Sequence, residues 1–333
     1  MRKLSILSLA HFCVDLCSAA LFFGRLDQGI DWWLYMVLYN GCAFALQFPM
    51  GLLADRLDRD LPFAAAGCAL VAGSFFLTGS PLLSALLCGI GNGMFHVGGG
   101  LEVLSASDRA APLGVFVSPG AVGLYLGTVW ASFLMGWVWT LPALMGLMGL
   151  LILLPGKGKG SPISHNAPLS LALPKGGMLP LLCLFLVVAL RSRLSGDAFS
   201  AGLQDVPGVL PVLCLASGKA AGGFLGDGLG LRRTAALSLG AAAILLLFPA
   251  DWTSLLGMFL FNMTMPLTLL AAARLLPGAK GCAFGLLTLA LFVGMMPRFL
   301  DITQALPGLF GAAQVLLSLG LLWAGLGKER AHG

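Results

Sequence analysis

The chain has 333 residues, of which 58% are apolar and only 10% charged, with a mean hydropathy of +0.94; an average soluble protein is roughly 25% charged. Burial saturates near three quarters of a chain's surface at about this size, so the apolar excess must face lipid, which excludes a soluble enzyme, a secreted disulfide scaffold and a nucleic-acid-binding domain. A net charge of +5 is no polybasic signature, and in a membrane protein the placement of Lys and Arg matters more than their sum.

A spanning helix needs about 20 mostly apolar residues. In chain order such runs fall at 3–23, 32–53, 61–78, 81–103, 112–134 and 137–154, then at 178–200, 207–225, 234–250, 253–273, 279–297 and 307–326. The expected fold is therefore an all-α membrane protein of twelve transmembrane helices. The first run is not a cleavable signal peptide, because His11 and Asp15 interrupt it and no small-residue cleavage site ends it. Residues 155–177 are rich in Pro, Gly, Ser and Lys and read as a flexible linker. They divide the chain into bundles over 1–154 and 178–333, with short loops elsewhere.

With the N-terminus inside, fourteen Lys and Arg lie on the cytoplasmic side. Only Arg25, Arg191, Arg193 and Arg298 lie on the outer one, leaving Lys219 within a span. That asymmetry places both termini in the cytoplasm. The eight cysteines all sit in apolar runs without a CxxC pair and read as small buried hydrophobes. Glycine is abundant, 46 residues, which suits close helix packing where lipid supplies no hydrophobic drive.

The halves echo each other. Gly51-Leu52-Leu53-Ala54-Asp55-Arg56-Leu57-Asp58-Arg59 follows span 2, and Gly223-Phe224-Leu225-Gly226-Asp227-Gly228-Leu229-Gly230-Leu231-Arg232-Arg233 follows span 8. Asp55 and Asp227 are 172 residues apart, Asn92 and Asn262 170, and Gly114-Val115-Phe116 and Cys282-Ala283-Phe284 168. Nearly one offset argues a duplicated six-helix unit. Here the chain resembles the major facilitator superfamily, whose 2–3 loop carries Gly-x-x-x-Asp-Arg/Lys-x-Gly-Arg/Lys. Gly51, Asp55, Arg56 and Arg59 match, with Asp58 in place of the central Gly. The resemblance implies two six-helix pseudo-repeats, and a cytoplasmic gate from Gly51, Asp55, Arg56, Arg59, Asp227, Arg232 and Arg233. The bland alternative is a solvated turn with membrane-anchoring Arg.

Leu9-Ala10-His11-Phe12-Cys13-Val14-Asp15 and Gly89-Ile90-Gly91-Asn92-Gly93-Met94-Phe95-His96 also look like the fosmidomycin-resistance branch. Val97 and Gly98 stand where that branch has Pro and Glu. Phe116-Val117-Ser118-Pro119-Gly120-Ala121-Val122-Gly123 partly resembles a motif of the superfamily's antiporters, which leans toward export.

Ionisable groups deep in a membrane are costly unless they face a cavity or a partner. Asp15 lies near the middle of span 1, with His11 one turn away on the same face. His96 follows Asn92 by one turn in span 4, Lys219 sits mid-span 8, and Arg191 lies well inside span 7. The resemblance brings spans 1, 4, 7 and 10 to a central cavity. It makes Lys219, Arg191, His96, Asn92 and Asn262 candidate substrate ligands, and Asp15, His11 and His96 candidate proton carriers. The structural alternatives are an ion pair of Asp15 with His11 or Lys219, a helix-packing His96 and an outward-snorkelling Arg191. Arg193, Asp197 and Asp205 read as outer-loop residues, and Glu102 and Arg109 as an inner ion-pair network. No metal triad is evident, since His11 and His96 fall on separate helices.

Neither a nucleotide-binding motif nor a Ser/His or HExxH pairing occurs. The expected function is a proton-coupled secondary transporter of a small organic anion or zwitterion, working by rocker-switch alternating access. It is expected in the inner membrane as a monomer, with no cofactor, no metal, no nucleic-acid partner and no enzymatic activity. The alternatives are a multidrug exporter of lipophilic or cationic compounds and a non-transporting receptor-like or complex-subunit protein.

Overall fold

The computed structural model describes residues 2–26, 31–77, 79–154, 169–197, 203, 206–248, 250–300 and 308–327. Among them the chain is helical, with no strand. The helices are α1 Arg2–Leu26, α2 Trp32–Leu57, α3 Asp60–Ser74, α4 Pro81–Ala106, α5 Ala110–Val129, α6 Ala131–Met135 and α7 Thr140–Leu153. Then come α8 Met178–Asp197, α9 Val209–Leu229, α10 Leu231–Leu246, α11 Asp251–Leu275, α12 Lys280–Phe299 and α13 Leu309–Gly325. Thirteen helices thus stand against twelve expected runs. The extra one is the five-residue α6, split from α5 where Trp130 leaves helical backbone at φ −101°, ψ 16°. Residues 155–168 of the expected linker, and the side chains of Asp197 and Asp205, lie outside the described residues.

Seven helices are long and apolar enough to cross a membrane: α1, α2, α4, α5, α9, α11 and α12. Their outer faces carry exposed Leu, Phe and Val, and Trp32, Trp33, Trp130, Trp137 and Trp139 are exposed at helix ends, where aromatic side chains mark a membrane–water interface. This is a multi-pass membrane protein.

The helix boundaries follow local chemistry. Pro81 sits in the first turn of α4, where its missing N–H costs nothing. The α2–α3 break turns on Asp58, left-handed at φ 52°, where the family motif has glycine. The corresponding place in the second half is Gly230, at φ 88°.

Two compact units form. One comprises Met1–Ser107, Phe116–Ser170 and Gly278–Leu289; the other comprises Asp108–Val115, Leu171–Pro277 and Ala290–Gly333. In the first, α5 lies directly on α1: a Cβ on Gly123 or Gly127 would run into the carbonyls of Phe12 and Leu16. Ala54, Phe63, Val97 and Leu101 form a small core there, covered by Met50 and Met94. In the second unit, Gly218 and Gly222 let α9 approach the backbone of Phe259 and Met263 on α11. The high glycine content is thus spent on backbone-to-backbone helix contacts.

Candidate functional site

Within the first unit, α1, α4 and α5 bring three of the sequence-nominated side chains together. His11 is buried, and Asp15 and His96 are mostly so, with 18% and 14% of their side chains exposed. His11 Nδ1 lies 2.8 Å from the Phe116 carbonyl, and His96 Nδ1 lies 2.8 Å from the Asn92 carbonyl. A carbonyl only accepts, so each Nδ1 carries the hydrogen and each neutral imidazole keeps its lone pair on Nε2. Those two Nε2 atoms face each other at 2.9 Å. Asp15 Oδ2 is 3.3 Å from His11 Nε2, and Asp15 Oδ1 is 3.7 Å from His96 Nε2. Two lone pairs and a carboxylate therefore point at one spot, an arrangement that repels itself unless a cation sits there.

The surroundings hold this geometry in place. Asn92 Nδ2 donates to Asp15 Oδ1 at 3.1 Å and to Ser18 Oγ at 3.3 Å, so Asn92 orients the carboxylate. His11 packs against Phe116, with ring centroids 4.9 Å apart, and stands edge-on to His96. Gly120 on α5 leaves the space open, because a Cβ there would collide with His11 Nε2 and Asp15 Oδ2. Against the sequence expectation of no metal triad, His11, Asp15 and His96 form, among the described residues, a group that could hold a metal ion, with one ligand atom from each within 4.8 Å of the others.

Arg191, in the second unit, is 5% exposed. Its Nη1 donates to Thr264 Oγ1 at 3.4 Å and to Thr268 Oγ1 at 3.3 Å. Both hydroxyls spend their own hydrogens on the carbonyls of Phe261 and Met265, so they act as acceptors that aim the guanidinium. No carboxylate pairs with Arg191 among the described residues. Asn262, just before the single turn residue Met263 that interrupts α11, is buried and donates to the Met258 carbonyl of its own helix. Lys219 lies half-buried on α9, with its carbonyl under Gly114 of α5.

The expected gate residues separate into two kinds. Asp55 accepts the N–H groups of Gly281 and Cys282 at 2.8 and 2.7 Å, capping the start of α12. Asp227 accepts those of Ala110 and Ala111 at 2.8 and 3.0 Å, capping the start of α5. Gly51 packs against the Gly281 backbone. The arginines do not converge on these carboxylates in the same way: Arg56, Arg59 and Arg233 are exposed. Arg232 donates to the Trp323 carbonyl and stacks on its ring, with Cζ 4.9 Å from the ring centroid. The expected Glu102–Arg109 network is also distributed differently, with Glu102 paired to Lys3 and Arg109 to Asp227.

Sequence reasoning missed the Phe116 carbonyl, Ser18, Gly120, Thr264 and Thr268. Phe116 and Gly120 left a trace, as members of the Phe116–Gly123 stretch that partly resembles an antiporter motif.

No family model matches the sequence, and no curated protein matches it. Solved structures do match. The Escherichia coli fucose:proton symporter FucP superposes with a TM-score of 0.68 at 13% identity, covering 96% of this chain and 97% of its own. The human organic anion transporter MFSD10 gives 0.68 at 17%, covering 96% and 99%. A bacterial homologue of the iron transporter ferroportin gives 0.60 at 17%, covering 98% of each chain.

Proposed function

We propose that this chain, which has the major facilitator fold, is a secondary active transporter of a small organic anion or zwitterion, working by alternating access in the cytoplasmic membrane. The reading takes twelve of the helices as spans, both termini as cytoplasmic, and the bundles as 1–154 and 178–333 around the linker.

The observation that carries it is Arg191. Among the described residues, this 5% exposed guanidinium meets two threonine hydroxyls and no carboxylate, and a buried charge without a counter-charge is costly by several kcal/mol. An anionic substrate supplies the missing partner, and a carboxylate accepts two parallel N–H bonds from the guanidinium. Lys219 adds a second cation in this reading, and Asn262, in the same unit as Arg191, supplies an amide. The energy comes from a cation held by His11, Asp15 and His96, and the sequence expectation of proton coupling is one form of that. Asp55 and Asp227, with Gly51 beside the Gly281 backbone, act as the cytoplasmic gate in this reading, and Arg56, Arg59, Arg232 and Arg233 belong to the same cytoplasmic ends.

The test is ligand-induced thermal stabilisation of the purified protein across panels of organic anions and lipophilic cations. Bound ligand stabilises the folded state by about 2.7 kcal/mol at 100 times its dissociation constant. One class of anion is expected to raise the melting temperature, with the effect lost in Arg191→Gln and weakened in Lys219→Ala. Stabilisation by lipophilic cations alone, undiminished in Arg191→Gln, overturns the proposal in favour of a drug exporter.

A further inference from the structure

We propose that His11, Asp15 and His96 form a binding site for one divalent first-row transition-metal ion, with Nε2 of each histidine and the Asp15 carboxylate as its ligands. The inference rests on the reading of the chain as a cation-coupled transporter and names the cation.

Three independent features of the cluster point to a metal ion. The first is spacing. Metal–ligand bonds of about 2.0–2.2 Å to imidazole nitrogen and carboxylate oxygen put two ligands of one ion roughly 2.9 Å apart at a right angle, and further apart as the angle opens. The two Nε2 atoms are 2.9 Å apart, and Asp15 turns Oδ2 to His11 at 3.3 Å and Oδ1 to His96 at 3.7 Å, so one ion can meet both imidazoles with the carboxylate facing it through both oxygens. A proton lies on the line between two atoms, and the two Asp15 contacts are longer than an ordinary hydrogen bond of about 2.7–3.2 Å.

The second feature is the tautomer. Both Nδ1–H groups are committed to backbone carbonyls, Phe116 for His11 and Asn92 for His96. Metal-ligating histidines are held in this way by a second hydrogen bond on the opposite ring nitrogen. Asn92 serves the carboxylate in the same role, donating to Asp15 Oδ1. The third feature is the room left by Gly120, whose absent Cβ would otherwise fill the place beside His11 Nε2 and Asp15 Oδ2.

The donor set chooses the class of ion. Two imidazoles and one carboxylate suit zinc, manganese, iron, cobalt or nickel, whereas magnesium and calcium take all-oxygen shells. Three protein ligands leave coordination positions for water or for a carboxylate of the transported solute.

Full-length protein in detergent, stripped with chelator, is titrated with Co2+ while its visible ligand-field absorption is recorded, and Zn2+ is then added as competitor. Expected is a spectrum that saturates at one Co2+ per chain and is displaced by Zn2+. His11→Gln and His96→Gln should each weaken binding by about 100-fold or more, and Gly120→Ala by at least about 10-fold through crowding of the ligands. No ligand-field spectrum from the wild-type protein at saturating Co2+ overturns the metal site and leaves the cluster to a proton. Binding that persists in the His11→Gln/His96→Gln protein overturns it as well. The wild-type titration needs no variant to fold. The anion-stabilisation assay on the same sample, run without metal, reports separately on whether the transporter reading holds.

Discussion

Asp60 shows how a single carboxylate can report on its surroundings. It opens α3, and burial raises its pKa to about 7, helped by the carboxylates of Glu102 on α4 and of Asp58 and Asp55 at the end of α2; Lys280 on α12 opposes them. Its Oδ1 has no hydrogen-bond partner among the described residues. A carboxyl whose folded pKa is raised binds its proton more tightly when folded. Its contribution is therefore retained at low pH and is lost as the pH climbs from about 3.9 toward the folded value, after which it stays flat. Asp60→Asn removes that dependence. Thermal unfolding should show the variant near wild type at pH 4 and more stable at pH 8, by on the order of 2–4 kcal/mol. A variant less stable than wild type at pH 8 would mean that the charged carboxylate has a favourable partner. Asp60 drew no notice in the sequence because its neighbours come from α2, α4 and α12. The His11–Asp15 pair was legible, since one helical turn aligns them. Its conjunction with His96 was legible through the family resemblance alone, because no spacing rule links residues 85 positions apart.

At the scale of helices, composition predicted close packing but not which faces meet. Gly120, Gly123 and Gly127 fall at three- and four-residue steps along α5, so they share one face, and that face lies on α1. The site depends on this contact. It brings the Phe116 carbonyl to His11 and Gly120 to the ligand side of the cluster. Gly123→Val should therefore force α1 and α5 apart, at about 1–3 kcal/mol for overpacking, and it should also weaken whatever cation the cluster binds. Gly146 on α7 provides the contrast, because nothing lies within reach of a Cβ there. Gly146→Val changes side-chain size on an open face, and its melting temperature should move little. If both valines lower stability equally, intrinsic helix propensity rather than the α1–α5 contact is responsible. The seven long apolar helices were readable because each is a long composition signal. The split that created α6 was not, since it depends on one backbone turn at Trp130.

For the whole molecule, the most telling regularity is that the two capping aspartates obey the internal repeat. Asp55 and Asp227 are 172 residues apart, while the N–H groups they accept belong to pairs 171 residues apart, Gly281 and Cys282 against Ala110 and Ala111. Each aspartate joins one half of the sequence to the first turn of a helix from the other. A carboxylate at such a helix start is favourable both as a hydrogen-bond acceptor and against the helix dipole. The matching offset argues that the two caps do equivalent work, which the repeated Gly-x-x-x-Asp suggested and the scattered arginines did not. Asp55→Ala and Asp227→Ala are each expected to cost about 1–2 kcal/mol in thermal or denaturant unfolding. Asp227→Ala stands to lose slightly more, because it also gives up the exposed ion pair with Arg109. If the caps also hold one conformation of a transport cycle, each alanine should change the maximal transport rate more than the substrate concentration at half-rate, and in the same direction. Loss of stability without any change in rate would leave the caps as helix-end chemistry alone, and the repeat as a feature of folding rather than of gating.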